Sequence, residues 1–358
     1  TPRPLIRVLI VEDSPVAQEF LTYILSSDPD IEVVGVAKNG LEALEMAEEL
    51  RPSVITMDVH MPVMDGFEAT RRIMETVPTP IVVVSGNMGT EEIASTFRAM
   101  EAGALAAVLR PVGIDHRSFK VDSMKLIVTV KLMSEIKVVR RIAHRAAAPM
   151  PKSETPAHGQ TTASKIQIIA IGASTGGPLA LKEILSRIGK DFPFPLLIVQ
   201  HIAAGFIGGF AKWLSGSSDI PVRIASHGEP AQPGQGYMAP DGFHLGVTEG
   251  PRIALSDDPP ESNGLRPSVA HLFRSTAKAF GPRAVGVLLT GMGRDGAEEL
   301  KMMKDCGATT IAQDEASSIV HGMPGEAIKL GGVRFVLPPE GIAEILLSLA
   351  AAARERVP

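Results

Sequence analysis

Residues 165–177 read Lys165-Ile166-Gln167-Ile168-Ile169-Ala170-Ile171-Gly172-Ala173-Ser174-Thr175-Gly176-Gly177. An apolar run that breaks directly into a glycine-rich turn predicts a strand buried on both faces, hence a strand of a parallel sheet. The glycines relieve crowding, and the turn lifts Ser174 to the carboxyl end of that sheet, where ligands of open α/β folds bind. Such a turn serves either a bound phosphate or a nucleophile. The phosphate-loop template needs Lys and Ser or Thr after its second glycine, but Pro178 follows Gly177. The dinucleotide fingerprint needs glycine where Ser174 stands. Neither template fits, which favours a nucleophile.

A serine nucleophile needs a base and an orienting acid at other strand ends. Pro195–Gln200 is an apolar strand candidate ending in His201, and Ala284–Leu289 is another, ending in Thr290-Gly291-Met292-Gly293-Arg294-Asp295-Gly296. A lone histidine after a strand is more often packed or solvated than basic. Asp295 alone reads as a cap for the helix expected to begin near Ala297. The coincidence of Ser174, His201 and Asp295 at three strand ends is what favours catalysis. Their chain order differs from that of α/β-hydrolases, chymotrypsin and subtilisin, so a triad on a different fold is expected. The amides of Thr175 and Met292, in glycine-rich turns beside the nucleophile, are candidate oxyanion donors. This chemistry needs no cofactor or metal in this half.

Upstream, residues 7–111 read as five strand-then-helix repeats. The strand candidates are Val8–Val11, Glu32–Ala37, Val54–Met57, Ile81–Ser85 and Ala106–Leu109. This alternation predicts a parallel sheet covered by helices, and five strands suit the flavodoxin-like order 2-1-3-4-5. Polar residues stand where those strands end: Glu12 and Asp13, then Asp58, Ser85 and Arg110. Any one of the acids alone reads as a solvated cap. Three carboxylates brought to one rim repel unless a hard cation is present, and Mg²⁺ suits an all-oxygen set that also admits phosphoryl oxygens. Asp58 is placed to attack a phosphoryl donor, with Ser85 and Arg110 placed to contact the phosphoryl group.

After Pro111 a helical spacing runs from about Phe119 to His144. Arg145 to Ser164, rich in Ala, Pro, Ser and Thr, reads as a flexible tether. The expected architecture is therefore two doubly wound parallel-sheet α/β domains, residues 5–118 and 165–350, separated by a helix and linker over 119–164. The chain has 358 residues, 45% hydrophobic and only 4% aromatic, so aliphatic cores are expected. A net charge of −5 gives no reason to invoke nucleic acid. Cys306 is the only cysteine, which excludes an intrachain disulfide and suits a reducing compartment. With no membrane-length apolar run and no signal pattern at the start, a cytoplasmic protein without direct membrane insertion is expected, as a monomer.

Two resemblances follow. Val-Glu-Asp-Ser at 11–14, Met-Asp-Val-His-Met-Pro-Val-Met-Asp-Gly at 57–66, Val-Ser-Gly at 84–86 and Arg-Pro at 110–111 resemble a response-regulator receiver domain. That implies a phosphoaspartate at Asp58, Mg²⁺ held by Glu12, Asp13 and Asp58, and a CheA-type histidine kinase as phosphodonor. The family normally has Lys-Pro where this chain has Arg110-Pro111, a planar fork in place of a point charge. Gly-Ala-Ser-Thr-Gly-Gly-Pro (172–178), Val-Gln-His (199–201), Ala-Pro-Asp-Gly-Phe-His (239–244), Arg-Pro-Ser-Val (266–269), Leu-Thr-Gly-Met-Gly-Arg-Asp-Gly-Ala (289–297) and Ala-Gln-Asp-Glu-Ala (312–316) resemble the chemotaxis protein-glutamate methylesterase (CheB) family.

The second resemblance implies Ser174 as nucleophile, His201 as base and Asp295 as orienting acid. It implies hydrolysis of glutamate γ-methyl esters on methylated chemoreceptors with release of methanol, and glutamine deamidation in some members. It also implies that phosphorylation of Asp58 relieves a block on the esterase. The alternative from another class is a phosphorelay binding module whose esterase half serves as a docking surface.

Overall fold

Strands covered on both faces have no solvent side, so short unbroken apolar runs become the centre of each half. The computed structural model describes residues 4–86, 90–136, 138, 166–261 and 264–354, with no side-chain positions for 90–94. The chain separates into two compact units, Thr1–Thr155 and Pro156–Pro358.

In the first unit, β1 (Ile6–Val11), α1 (Pro15–Leu25), β2 (Ile31–Ala37), α2 (Gly40–Leu50), β3 (Val54–Met57), α3 (Gly66–Thr76), β4 (Ile81–Ser85), α4 (Thr90–Ala102) and β5 (Ala106–Leu109) alternate. The sheet order is β2-β1-β3-β4-β5 and every pairing is parallel, the winding expected from the sequence. The first three helices open on Ser14, Asn39 and Asp65, whose side-chain oxygens accept first-turn amides. Such caps contribute about 1 kcal/mol each and fix where the chain turns at the carboxyl rim.

Helix α5 (Phe119–Ser134) packs on this sheet through Leu126, Ile127, Val130 and Met133. Its Lys131 bridges Asp28 and Asp30. The helix stops at Ser134, short of the expected His144, with Glu135 as its C-cap. The tether expected over 145–164 lies outside the described residues.

The second unit runs β6 (Ile168–Ala173), α6 (Gly177–Ile188), β7 (Leu196–Gln200), α7 (Ile207–Ser217), β8 (Val222–Ile224), β9 (Gly236–Met238), β10 (His244–Thr248), β11 (Arg252–Ser256), α8 (Val269–Phe280), β12 (Ala284–Leu288), α9 (Ala297–Asp305), β13 (Thr309–Gln313), α10 (Met323–Lys329), β14 (Phe335–Leu337) and α11 (Pro339–Arg354). Its seven-stranded sheet has the order β14-β13-β12-β6-β7-β9-β8, again all parallel. From central β6 the chain winds out through β7, then returns to the other side of β6 at β12. The β6/β12 pair is therefore the switch point, where a crevice opens at the carboxyl ends.

All residues of β6, β7, β12 and β13 are buried, and each buried Ile, Leu or Val side chain contributes roughly 1.5–3 kcal/mol. The antiparallel β10–β11 hairpin was not anticipated from the sequence. It sits on α8, where Val247 N donates to Ser275 Oγ and the His244 ring stacks on His271 with centroids 4.7 Å apart. Among the described residues no helix is long and apolar enough to cross a membrane.

Candidate functional site

Ser174 follows β6 directly. Its amide donates to Thr290 O at 3.0 Å, and its carbonyl accepts from Gly177 N at 2.8 Å, closing the turn into α6. The loop after β12 lies against Ser174: a Cβ on Gly291 would fall 2.6 Å from Ser174 Cβ and 2.5 Å from Met323 Sδ. A side chain there forces one of the two loops away. Thr290 ties them together, its Oγ1 donating to Thr175 O at 2.9 Å and accepting from Val320 N at 3.0 Å. Its own amide donates to buried Gln313 Oε1 at 2.8 Å. Among the described residues, neither the Thr175 nor the Met292 amide donates a hydrogen bond, which leaves both candidate oxyanion donors available.

His201 follows β7, with its amide on Ala173 O at 2.9 Å. Its Nε2 lies 2.9 Å from Asp295 Oδ2, at ion-pair distance but off the line of an aligned hydrogen bond. Asp295 is buried and does not cap α9, whose N-cap is Gly296 without a side-chain bond. Instead it caps α8: Oδ2 accepts Val269 N at 2.7 Å and Oδ1 accepts Ala270 N at 3.1 Å. An anion at a helix N-terminus meets unpaired amides and the positive end of the dipole. Burial raises the Asp295 pKa, but His201 and the two α8 amides outweigh it and hold the carboxyl below its ordinary range.

The Val269 side chain wedges between two glycines, so that a Cβ on Gly172 or Gly296 would come within 2.3 or 2.4 Å of its Cγ1. Among the described residues no hydrogen bond joins Ser174 Oγ to the imidazole. Catalytic contacts of this kind often tighten only with substrate in place.

Three positioning residues escaped the sequence reading. Gln200, Thr290 and Gln313 are buried polar residues at the ends of or just after β7, β12 and β13: Gln200 and Thr290 bond backbone of the Ser174 and His201 loops, and Gln313 accepts the amide of Thr290 in the loop that carries Asp295. The signal available was a polar residue closing an otherwise apolar strand. Beside His201 lies a cleft of about 70 Å³, lined also by Gln200, Ile207, Asp241, Arg266 and Pro267. Asp241 Oδ2 accepts Gly205 N at 2.7 Å and so fixes the loop after His201. Arg266 Nη1 donates to Asp257 O and Asp258 O, tying the end of the hairpin to the cleft wall.

In the first unit, oxygens of Glu12, Asp13 and Asp58 all lie within 4.8 Å of one another. Asp58 Oδ1 accepts Val59 N at 2.7 Å. Arg110 reaches Glu12, Nη2 to Oε2 at 2.8 Å, and its guanidinium lies close over Gly86. Its amide donates to Ser85 O at 2.7 Å, joining the ends of β4 and β5, and Ser85 is itself buried. Burial and the neighbouring Asp58 push Glu12 up to about 7 in spite of Arg110 and the Ser14 amide. Three hard oxygen donors gathered within 4.8 Å of one another fit Mg²⁺, which takes carboxylate ligands and keeps open positions.

A family model for CheB methylesterase matches residues 169–346, and one for the response regulator receiver domain matches 8–118. A protein-glutamate methylesterase/protein-glutamine glutaminase of Syntrophus aciditrophicus is 54% identical over 350 residues, covering 97% of this chain and 99% of that protein. Its counterpart in Nitrosospira multiformis is 52% identical over 347 residues, covering 97% and 98%. The crystal structure of the Thermotoga maritima CheB methylesterase catalytic domain aligns with a TM-score of 0.50 at 37% identity, over 51% of this chain and 98% of that one.

Proposed function

The chain belongs to the protein-glutamate methylesterase (CheB) family, with a response-regulator receiver ahead of the esterase, and on that premise we propose that Ser174, His201 and Asp295 hydrolyse glutamate γ-methyl esters of chemoreceptors under control of Asp58. The observation that carries the reading is the convergence at the β6/β12 switch point. The nucleophile loop, the base 2.9 Å from a buried acid, and two undonated amides meet at the carboxyl ends of adjacent strands.

In this reading Ser174 Oγ attacks the ester carbonyl carbon while His201 takes its proton. Because Nε2 faces Asp295, the proton is handled at Nδ1. Asp295, kept anionic by the α8 amides, stabilises the imidazolium that forms. The amides of Thr175 and Met292 hold the carbonyl oxygen as it becomes an oxyanion. Collapse breaks the ester C–O bond, and His201 returns the proton to the departing methoxide oxygen as methanol. Water, deprotonated by the same imidazole, then releases the glutamate carboxylate from Ser174. The same constellation serves glutamine deamidation, with ammonia as leaving group.

In the receiver, Asp58 accepts the phosphoryl group from a histidine kinase of CheA type. Glu12, Asp13 and Asp58 would hold Mg²⁺, which when bound screens their charges and those of the phosphoryl oxygens. Arg110 must then loosen from Glu12 to meet the phosphoryl group, and Ser85 offers a hydroxyl from the adjacent strand end. We divide the chain into receiver (5–118), helix and linker (119–164) and esterase (165–350), acting in the cytoplasm on the cytoplasmic parts of the receptors. The test is methanol release from methylated receptor membranes with and without a small phosphodonor and Mg²⁺. Release that rises with phosphodonor is expected, and no release in either condition would sink the esterase reading.

A further inference from the structure

We propose that Gln200 is a positioning residue for the hydrolysis: its carboxamide turns the Ser174–Thr175 peptide so that Thr175 N–H faces the oxyanion, and ties that peptide to the backbone of the base. The inference rests on the triad reading above. Gln200 closes β7, one residue before His201, and is 3% exposed. Its Nε2 donates to Ser174 O at 2.8 Å and to His201 O at 2.8 Å. Two carbonyls facing one terminal atom require the amide's nitrogen there, since only that side carries two hydrogens. One side chain thus spans the nucleophile and the base, whose sequence positions lie in separate strand-end loops.

The consequence for catalysis comes from the planarity of the peptide. In a trans peptide the carbonyl and the following N–H point in opposite directions. Ser174 O is held on one side by both Gln200 Nε2 and Gly177 N. Thr175 N–H is therefore directed to the other side, and among the described residues it has no acceptor. Donation to a carbonyl also polarises its peptide, which strengthens the N–H as a donor at the moment charge develops.

The remaining atom of the carboxamide points the same way. Gln200 Oε1 is buried without a hydrogen-bond partner, pressed so close to Gly177 that a Cβ there would fall 2.2 Å away. A side chain present only to fill space between β7 and α6 would do better as methionine, which has similar volume and no orphaned acceptor. The unsatisfied oxygen is what remains when both amide hydrogens are committed to the two catalytic loops.

The test compares the full chain with its Gln200→Met and Gln200→Glu variants, using a γ-methyl-glutamyl peptide for turnover and methaneboronic acid as a tetrahedral probe of the serine. For Gln200→Met, kcat is expected to fall roughly 10–100-fold, somewhat less than for loss of an oxyanion donor, with KM within about twofold. Boronate affinity per folded molecule should fall in parallel with kcat/KM, whatever the loss of two buried hydrogen bonds does to the melting temperature. Gln200→Glu should fall further, because it sets carboxylate oxygens against two carbonyls. Gln200→His, which retains an N–H donor, should recover part of kcat.

A lowered melting temperature with kcat and boronate affinity per folded molecule unchanged would show a merely structural residue and overturn the proposal. Wild-type kcat in both Met and Glu variants would do the same. A wild-type chain that neither releases methanol nor binds boronate would instead overturn the triad reading, and the inference with it.

Discussion

Asp295 and Glu12 are both buried carboxylates at the carboxyl rim of a parallel sheet, yet their surroundings drive them apart. Asp295 has two helix amides and an imidazole against it, and its anion is favoured below the usual carboxylate range. Glu12 has one guanidinium and one distant amide, too little against its burial and the two acids beside it, and its proton is held up to about 7. Backbone amides and an imidazole supply the partners of the Asp295 anion, whereas the cluster around Glu12 is left short of positive charge. On the proposed reading, the acid of the first site is finished by its own surroundings, and the second site, left unfinished, waits for a cation and a phosphoryl group. On the proposed function, that difference is the one between a catalyst and a switch.

The largest expected effect tests the finished site. Ser174→Ala should lower methanol release by more than ~10⁴-fold while the melting temperature holds, and near-normal turnover would refute the nucleophile assignment. Asp295→Asn should cost ~10²–10⁴-fold in kcat, since the amide can no longer stabilise the imidazolium and presents hydrogens to the α8 amides. Asp58→Asn should abolish the rise in release on adding phosphodonor and Mg²⁺, and a retained response would mean the switch lies elsewhere.

The unfinished site gives the next effect. Mg²⁺ at about a hundredfold above its dissociation constant should stabilise the receiver by ~2.7 kcal/mol, read as a rise of several degrees in its melting transition. Asp13→Asn should erase most of that rise. The smallest effect is on acid stability. Asp295 has a folded pKa below its unfolded value of 3.8, so its contribution is present above that value and is lost as pH falls through the lower folded pKa. Melting curves between about pH 5 and pH 2 should therefore show a steeper acid loss for the wild type than for Asp295→Asn.

Much of this was legible in the chain because the signals were local. Ile81–Ser85 and Val54–Met57 are unbroken apolar runs, and the structure places strands at those same residues. The predicted acid cluster and the His201–Asp295 pair also came together as strand ends must on one rim. The rest depended on partners far apart in sequence. The contact of Asp295 with α8 crosses 25 residues, and local spacing pointed instead to the helix just after it. Gln200 looked like the last residue of a strand, because its role lies in a carbonyl 26 positions away. The β10–β11 hairpin turns at Gly250 with φ +75°, a signal that was present but is outweighed in a chain dominated by strand–helix alternation.

Val269 carries one further consequence. Its amide binds the acid, and its side chain fills the space above Gly172 and Gly296. Positions 172 and 269 cannot vary independently, whereas 296, at φ +81°, favours glycine whatever stands at 269. A methyl group at 172 alone collides with the wedge and pushes on the strand that leads into Ser174, whereas beside Val269→Ala only Leu288 Cδ1, 3.1 Å away, still has to give. Variation at 172 is therefore confined to paired substitutions with 269, and a library varied one residue at a time would mistake this coupled position for an immutable one.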